Sequence, residues 1–182
     1  MPYSQVFQEK VTEAASIILH HAGGSISYLS LVKLIYLADR RALELWEKPI
    51  TYDTFASLPL GPVGSNTCNL ARGISTDSTF WGQYIETFGK DVRIKSEYPK
   101  IKKLSPDEIN LIEEIYSKYG HMGKYELARF TEKLPEWKNP GKSSFPIELR
   151  ELLNILNFNK EDSIRIESEI QQDSELDALL SV

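Results

Sequence analysis

The chain has 182 residues, 41% of them hydrophobic and 26% charged, a composition typical of a globular protein with a sizeable core. The single cysteine, Cys68, excludes an intrachain disulfide. No apolar run approaches the roughly 20 residues that cross a bilayer, and the first residues lack the basic flank and apolar core of a secretory signal. We therefore expect a cytoplasmic protein with no membrane partner.

The formal net charge of −5 is concentrated at the C-terminal end. Residues 160–182 contain seven acidic and two basic residues, which leaves residues 1–159 neutral overall. A nucleic-acid-binding protein normally presents a basic face to phosphates, so no direct nucleic-acid partner is expected. The charge distribution predicts a domain over residues 1–159 followed by an acidic helical C-terminal extension over residues 160–182.

Two helices are predicted at the N-terminal end. Apolar residues recur at intervals of three and four over residues 5–22, and Gly23-Gly24 ends this first helix. Ser27 is a plausible N-cap for a second helix over residues 28–47. The apolar stripe of the second helix is unusually wide, which predicts that it lies at the centre of the core.

Strand signals follow the second helix. Pro49 ends the helix, and the β-branched and aromatic residues of Ile50 to Leu58 predict a strand that leads into a Leu-Gly-Pro-Val turn. A short helix is predicted at Ser65 to Arg72. Residues 73–90 resemble a loop, whereas Val92 and Ile94 alternate with charged residues and could pair with Lys100 to Leu104.

The clearest helix start is Ser105-Pro106-Asp107-Glu108. This combination of a capping serine, a first-turn proline and a glutamate three positions after the serine is a capping box. Shorter helices are predicted around residues 124–133 and 146–156. These elements predict an α+β fold: a predominantly α-helical single domain with a small antiparallel β-sheet beside the second helix.

The residues that could carry chemistry do not form a recognisable site. His20 and His21 are adjacent, so on a helix they point about 100° apart and cannot easily share a metal ion. His121 follows a glycine that ends a helix, and Cys68 has no histidine near it in the sequence. We therefore predict no catalytic residue, no metal and no cofactor.

Asp39 interrupts the apolar second helix. A buried carboxylate needs hydrogen-bond or charged partners. Two interpretations are open: Asp39 could hold the loop that follows the helix, or it could offer a polar contact in a binding cleft.

The sequence GGSISYLSLVKLIYLADRRALELWEKPITYDTFASLPLGPV resembles the Panacea domain, the SocA-like family of bacterial and phage proteins. The resemblance extends to FWGQYI, LSPDEI and PEW further along the chain, and covers roughly residues 5–172. One departure is Glu132 after Thr131, where the family pattern often has a histidine, so no role of that histidine can be carried over. The matching residues are Lys33, Leu34, Tyr36, Ala38, Asp39, Pro49, Ile50, Gly61, Pro62 and Val63.

The resemblance implies an antitoxin of a bacterial or phage toxin–antitoxin module. Such a protein neutralises its cognate protein toxin by direct binding, with occlusion of the toxin's active site favoured over chemistry on it. One alternative implied by the family is a proteolytic adaptor that delivers the toxin to a cytoplasmic protease. A second alternative, from a different class, is a hydrolase with a cryptic carboxylate or histidine site. A homo-oligomer remains open.

Two surfaces are candidates for the partner. The first is a cleft around Asp39, Tyr52, Phe55 and Pro62, where an edge strand and aromatic side chains could accept a protein segment. The second is the acidic C-terminal end, where an amphipathic helix could enter a basic groove of the toxin. Its apolar face would consist of Leu176, Leu179 and Leu180.

Overall fold

The computed structural model describes residues 5 to 180, which form eight helices and six short strands. The helices are α1 (Gln5–His21), α2 (Tyr28–Trp46), α3 (Ser65–Ala71), α4 (Trp81–Tyr84), α5 (Pro106–Tyr119), α6 (Lys124–Thr131), α7 (Leu149–Ile155) and α8 (Lys160–Leu180). The strands are β1 (Ser25–Ser27), β2 (Phe55–Leu58), β3 (Gly61–Gly64), β4 (Ile85–Phe88), β5 (Asp91–Ile94) and β6 (Phe145–Ile147). Within this part of the chain no helix combines the length and apolar character that a membrane crossing requires.

Helix α2 lies at the centre of the fold, as its wide apolar stripe predicts. Thirteen of its 19 residues are buried. One side packs against α1 and α5 and contributes Leu31, Leu34 and Ile35 to the larger core cluster. Another side places Tyr36 and Leu43 in a second cluster, which also contains residues from β2, β6, α7 and α8. A helix that is apolar nearly all round is stable only when neighbours cover it on several sides.

The strands form two antiparallel three-stranded sheets. One has the order β1-β5-β4 and the other has the order β3-β2-β6. In the second sheet Phe55 pairs with Gly64 on one side and with Ile147 on the other. The predicted α+β class with a predominance of helix is confirmed, and its strand content is divided between two sheets instead of one.

The strand predicted over residues 50–58 is shorter than expected. It begins only at Phe55. The N–H groups of Ile50 and Thr51 donate to the side chain of Asp39, Tyr52 has a left-handed φ of 59°, and the N–H groups of residues 53 and 54 donate to nearby side chains. Ser27 occupies the N-cap position of α2, but its side chain makes no capping hydrogen bond.

Residues 100–104 do not pair with β5, contrary to the prediction. The buried carboxylate of Glu13 accepts hydrogen bonds from the backbone N–H groups of Lys102, Lys103 and Leu104 at 2.9 to 3.1 Å. In addition, β5 is already paired on both edges, with β1 and with β4. The segment therefore remains irregular and is held by a side chain.

Two further elements differ from the predictions. Residues 73–90, predicted as a loop, contain helix α4 and strand β4. The helix predicted over residues 146–156 starts later, at Leu149, because Phe145 to Ile147 are extended and pair with β2. Strands β4 and β6 have only four and three residues, which is too short for a periodic pattern to be visible in the sequence.

Helix α8 is packed over its first half and exposed over its second. Ser163 and Ile166 are fully buried, and Arg165 forms an ion pair with Glu47 at 3.0 Å. From Gln171 onward no residue up to Leu180 is buried. The distal half of α8, residues 171–180, is therefore weakly packed, whereas its first half is not.

The capping box at the start of α5 is present and provides a test of the fold. Ser105 Oγ accepts from the Glu108 N–H at 3.2 Å, and Glu108 Oε2 accepts from the Ser105 N–H at 2.9 Å. We expect Ser105→Ala to lower the free energy of unfolding by about 1 kcal/mol, measured by urea denaturation. The matched control Ser117→Ala, at an exposed position in the last turn of the same helix, should leave the free energy of unfolding unchanged or slightly raised. Equal effects of the two substitutions would contradict this account.

Candidate functional site

Polar side chains of helix α2 are buried and hold the chain segments that follow it. Asp39 is only 1% exposed, and its carboxylate accepts hydrogen bonds from Ile50 N, Thr51 N and Thr51 Oγ1 at 2.8, 2.8 and 2.6 Å. Burial raises the pKa of Asp39 to about 7, against the opposing effect of these three donors. The geometry is that of a carboxylate that fixes the following loop, and it leaves Asp39 almost no surface for a partner.

Lys33 is a second buried ionisable group of α2. Its Nζ donates to the carbonyl oxygen of Pro62 at 2.8 Å. Burial lowers the pKa of Lys33 to about 7, while the negative charge of Glu132 opposes that shift. A Cβ atom at Gly61, where φ is +104°, would lie 2.8 Å from this Nζ and 2.6 Å from Thr131 Oγ1. Glycine is therefore required at this turn both for its backbone conformation and for the space beneath it.

Asp53 and Glu136 complete the buried polar contacts around α2. The two carboxylate oxygens of Asp53 accept four hydrogen bonds from Thr54, Asn66 and Thr67, so this side chain fastens β2 to the start of α3. Glu136 is 2% exposed and accepts from Tyr36 Oη at 2.7 Å and from Arg40 Nε at 2.6 Å.

The structure therefore brings separate sequence motifs into direct contact. Lys33, Tyr36 and Asp39 lie on α2 and bind, in turn, the Gly-Pro-Val strand, the Pro-Glu-Trp segment and the Pro-Ile segment. Every buried side-chain nitrogen and oxygen within residues 5 to 180 has a hydrogen-bond partner. These groups hold the scaffold together.

A groove of about 480 Å³ lies between the N-terminal end of β2, the C-terminal end of β6 and helix α8. We call it the α8 groove. Phe55 and Ile147, which are 6% and 7% exposed, form part of its floor. Its lining consists of Pro49, Tyr52, Asp53, Thr54, Phe55, Pro146, Ile147, Glu148, Leu149, Glu167, Ile170, Gln171, Ser174 and Glu175.

Tyr52 links the α8 groove to the distal half of α8. Its hydroxyl donates to Asp173 Oδ2 at 3.0 Å. Burial, together with this hydrogen bond, raises the pKa of Tyr52 above its ordinary value. Its φ of 59° is unusual for a bulky residue, and such conformations persist only where the surroundings impose them. Here the neighbouring residues, Thr51 and Asp53, are both held by buried hydrogen bonds.

The predicted partner-binding residues occupy three different environments. Tyr52 and Phe55 line the α8 groove, whereas Asp39 and Pro62 are buried outside it. On the distal half of α8 the exposed fractions are 56% for Leu176, 74% for Leu179 and 75% for Leu180. The two candidate surfaces are adjacent, because Tyr52 and Asp173 join them.

Sequence reasoning missed the other residues of the α8 groove. The sequence pattern predicts a helix over Ile147, Glu148 and Leu149, and Ile170 and Glu175 are far from Tyr52 in the chain. No pattern along the sequence connects these positions. The Pro-Glu-Trp motif did point to Glu136, although not to its contacts with α2.

The rings of His20 and His21 are in edge contact, with centroids 5.8 Å apart, and Cys68 lies in α3. His20 contacts the ring of Tyr98 and His21 stacks on Tyr116, with ring centroids 5.5 and 5.4 Å apart. Cys68 is buried, and burial raises the pKa of its thiol. Among residues 5 to 180 no three His, Cys, Asp or Glu side chains are placed to hold a metal ion.

Comparison with protein families gives a match that covers more than half of the chain. The family described as antitoxin SocA-like, Panacea domain, matches residues 31–138. The chain belongs to this family. Curated proteins and solved structures give no match. The matched range is shorter than residues 5–172, over which the sequence resembles the family, and α1, β1, β6, α7 and α8 lie outside it.

The matched range contains the buried polar contacts that join α2 to the segments after it. It includes Lys33, Tyr36, Asp39, Gly61 and Glu136, whose side chains or backbone contacts tie α2 to β3 and to its flanking loops. In this chain, these residues of the matched range therefore form scaffold contacts. The α8 groove is built partly from this scaffold and partly from residues beyond the matched range.

The three hydrogen bonds to Asp39 predict a large loss of stability when the carboxylate is removed. Asp39→Ala leaves two backbone N–H groups and a hydroxyl buried without partners, so we expect a loss of about 3 kcal/mol in the free energy of unfolding. Urea denaturation gives this quantity. Asp91→Ala, an exposed strand position, should cost no more than about 0.5 kcal/mol. A loss below about 1 kcal/mol for Asp39→Ala would show that the loop is held in another way.

Lys33 predicts a specific dependence of stability on pH. The pKa of Lys33 is about 7 in the folded chain and about 10.4 in an unfolded one, so between these values the folded state binds fewer protons. The wild type should therefore gain stability as pH rises through this window, relative to Lys33→Met, by up to about 1.4 kcal/mol per pH unit. Below pH 7 the lysine is protonated in both states, so this group no longer makes the stability depend on pH.

Urea denaturation of both proteins at about pH 7.5 and about pH 9.5 measures this difference. Lys142→Met, at an exposed loop position, controls for the general effect of losing a lysine. Parallel stability profiles for the wild type and Lys33→Met would contradict the low pKa in the folded state.

Proposed function

We propose that the chain is an antitoxin that neutralises its cognate protein toxin by direct binding, with the distal half of α8 and the adjoining α8 groove as the contact surface. Membership of the SocA-like antitoxin family supports a role in a toxin–antitoxin module and favours a non-enzymatic mode of action. The observation that carries the choice of surface is the exposure of Leu176, Leu179 and Leu180 beside the α8 groove.

The arrangement on α8 suits a protein partner. Leu176 and Leu180 are four residues apart and lie on one face of the helix, while Leu179 widens that face. Large exposed apolar side chains grouped in this way mark interaction surfaces more often than isolated ones do. The neighbouring residues Asp173, Glu175 and Asp177 are acidic, which favours a basic partner surface and faster association with it.

The mechanism that follows from this surface is occlusion. An amphipathic helix that places apolar side chains in a groove of the toxin, with acidic residues around them, can cover a site that normally binds an anionic substrate. No chemical step on the toxin is needed. The scaffold contacts of α2 would serve to hold β2 and Tyr52 in place beneath α8.

The experiment is co-expression with the product of the adjacent reading frame, tested first for toxicity when expressed alone. We expect the full chain to restore growth and to co-purify with the toxin. Removal of residues 173–182 should abolish growth rescue and co-purification. Leu176→Ser combined with Leu180→Ser should do the same, because the affinity for the toxin falls about tenfold or more. Toxin half-life measured in the same cells separates occlusion, which leaves it unchanged, from delivery to a protease, which shortens it.

The matched control is Ile164→Ser combined with Leu45→Ser. These side chains are also apolar and exposed, at 42% and 47%, but neither lies on the distal half of α8. Circular dichroism of each variant checks that the fold is retained. Unchanged toxin binding and unchanged rescue in the truncated protein would overturn the proposed contact surface.

A further inference from the structure

The α8 groove has an apolar floor that is large enough for a side chain of a partner. Its volume of about 480 Å³ falls in the range of ordinary ligand-binding sites. Phe55 and Ile147 are almost completely buried at its base, and Leu149 and Ile170 are half-buried along its sides. These apolar surfaces converge from β2, β6, α7 and α8.

The rim of the α8 groove is acidic. Its carboxylates belong to Glu148, Glu167 and Glu175, and no lysine or arginine is among the described residues that line it. The carboxylate of Glu167 is paired with Arg150 at 2.7 Å. Glu175 has a neutral donor, the side-chain amide of Gln171. The charges that remain available to a ligand are therefore those of Glu148 and Glu175.

The side of the groove nearest to β2 is held in a defined shape. The backbone of Tyr52 is in the left-handed region, and the buried hydrogen bonds of Thr51 and Asp53 on either side keep it there. Asp53 lies in the lining, but its two oxygens are fully used by N–H and O–H donors. A site whose walls are already in place loses less conformational entropy when a ligand binds.

We propose that the α8 groove binds a short segment of a partner protein in which an apolar side chain is flanked by lysine or arginine. The apolar side chain enters between Phe55 and Ile170, and the basic residues pair with Glu148 and Glu175 on the rim. The acidic rim disfavours nucleic acids and anionic peptides. That the partner is the toxin rests on the function proposed above.

The probe is a fluorescein-labelled peptide with central leucines flanked by arginines, titrated with the full chain and followed by fluorescence anisotropy. We expect binding that weakens as salt is added. Two control peptides separate the contribution of the positive charges from that of the apolar side chains. One has glutamate in place of each arginine, and the other has serine in place of each leucine. Both should bind at least about tenfold more weakly.

Variants of the chain locate the binding. Glu148→Gln combined with Glu175→Gln should weaken binding of the leucine–arginine peptide about fivefold. The matched pair Glu126→Gln and Glu161→Gln changes the net charge equally, at exposed positions that do not line the groove. This pair should change the affinity for the peptide less than about twofold. Equal losses in the two pairs would overturn the proposal, as would a control peptide that binds as tightly as the probe or a probe that does not bind.

This assay contains no toxin, so the two proposals can fail separately. If the chain neutralises its toxin and the peptide does not bind, the groove proposal is wrong and the antitoxin function stands. If the peptide binds as expected and the toxin is not neutralised, the groove proposal stands and the antitoxin function is wrong.

Discussion

The side chain of Asp39 accepts three hydrogen bonds from two consecutive residues, Ile50 and Thr51, at the point where the chain leaves helix α2. Together with the side-chain hydrogen bonds to the N–H groups of residues 53 and 54, this contact takes N–H groups that would otherwise extend β2. It also fixes Thr51 directly before Tyr52. The position of Tyr52, and with it one wall of the α8 groove, therefore depends on a carboxylate in the core.

The other buried polar contacts extend the same arrangement. Lys33 donates to the carbonyl oxygen of Pro62, and Glu136 accepts hydrogen bonds from Tyr36 and Arg40 on the same face of α2. Each contact joins segments that are distant in the chain. A charged group that folding buries therefore meets its partner only when the chain is folded, and that partner offsets the cost of burial. Such contacts favour one arrangement of the loops over others that would bury the same apolar surface. On the proposed function, these contacts hold the base beneath a more exposed helix.

The division of the molecule matches its family relationship. The residues that the Panacea family model covers end at 138, and they contain the buried polar contacts of α2. The distal half of α8 and part of the α8 groove lie beyond that range. On the proposed function, the scaffold belongs to the family and the surface that selects a particular toxin belongs to the C-terminal part of the chain. The acidic residues Asp173, Glu175 and Asp177 are then part of the contact surface.

The sequence by itself determined the features that depend on neighbouring residues. The wide stripe of α2 predicted a central helix, the Ser105–Glu108 pattern predicted a capping box, and the ordered motifs from Lys33 to Trp137 predicted the family. Each of these signals is local, since helix periodicity and capping act within a few residues of the chain.

Only the tertiary structure decided which distant segments meet. It placed Asp39 in the core, paired β6 with β2, and assigned the N–H groups of residues 102–104 to Glu13 instead of a strand. It also brought Tyr52 against Asp173, which made one continuous region of two surfaces that the sequence left separate. The physical reason is that a buried polar group takes whichever partner the packing brings within hydrogen-bonding distance, and that partner has no fixed spacing along the chain.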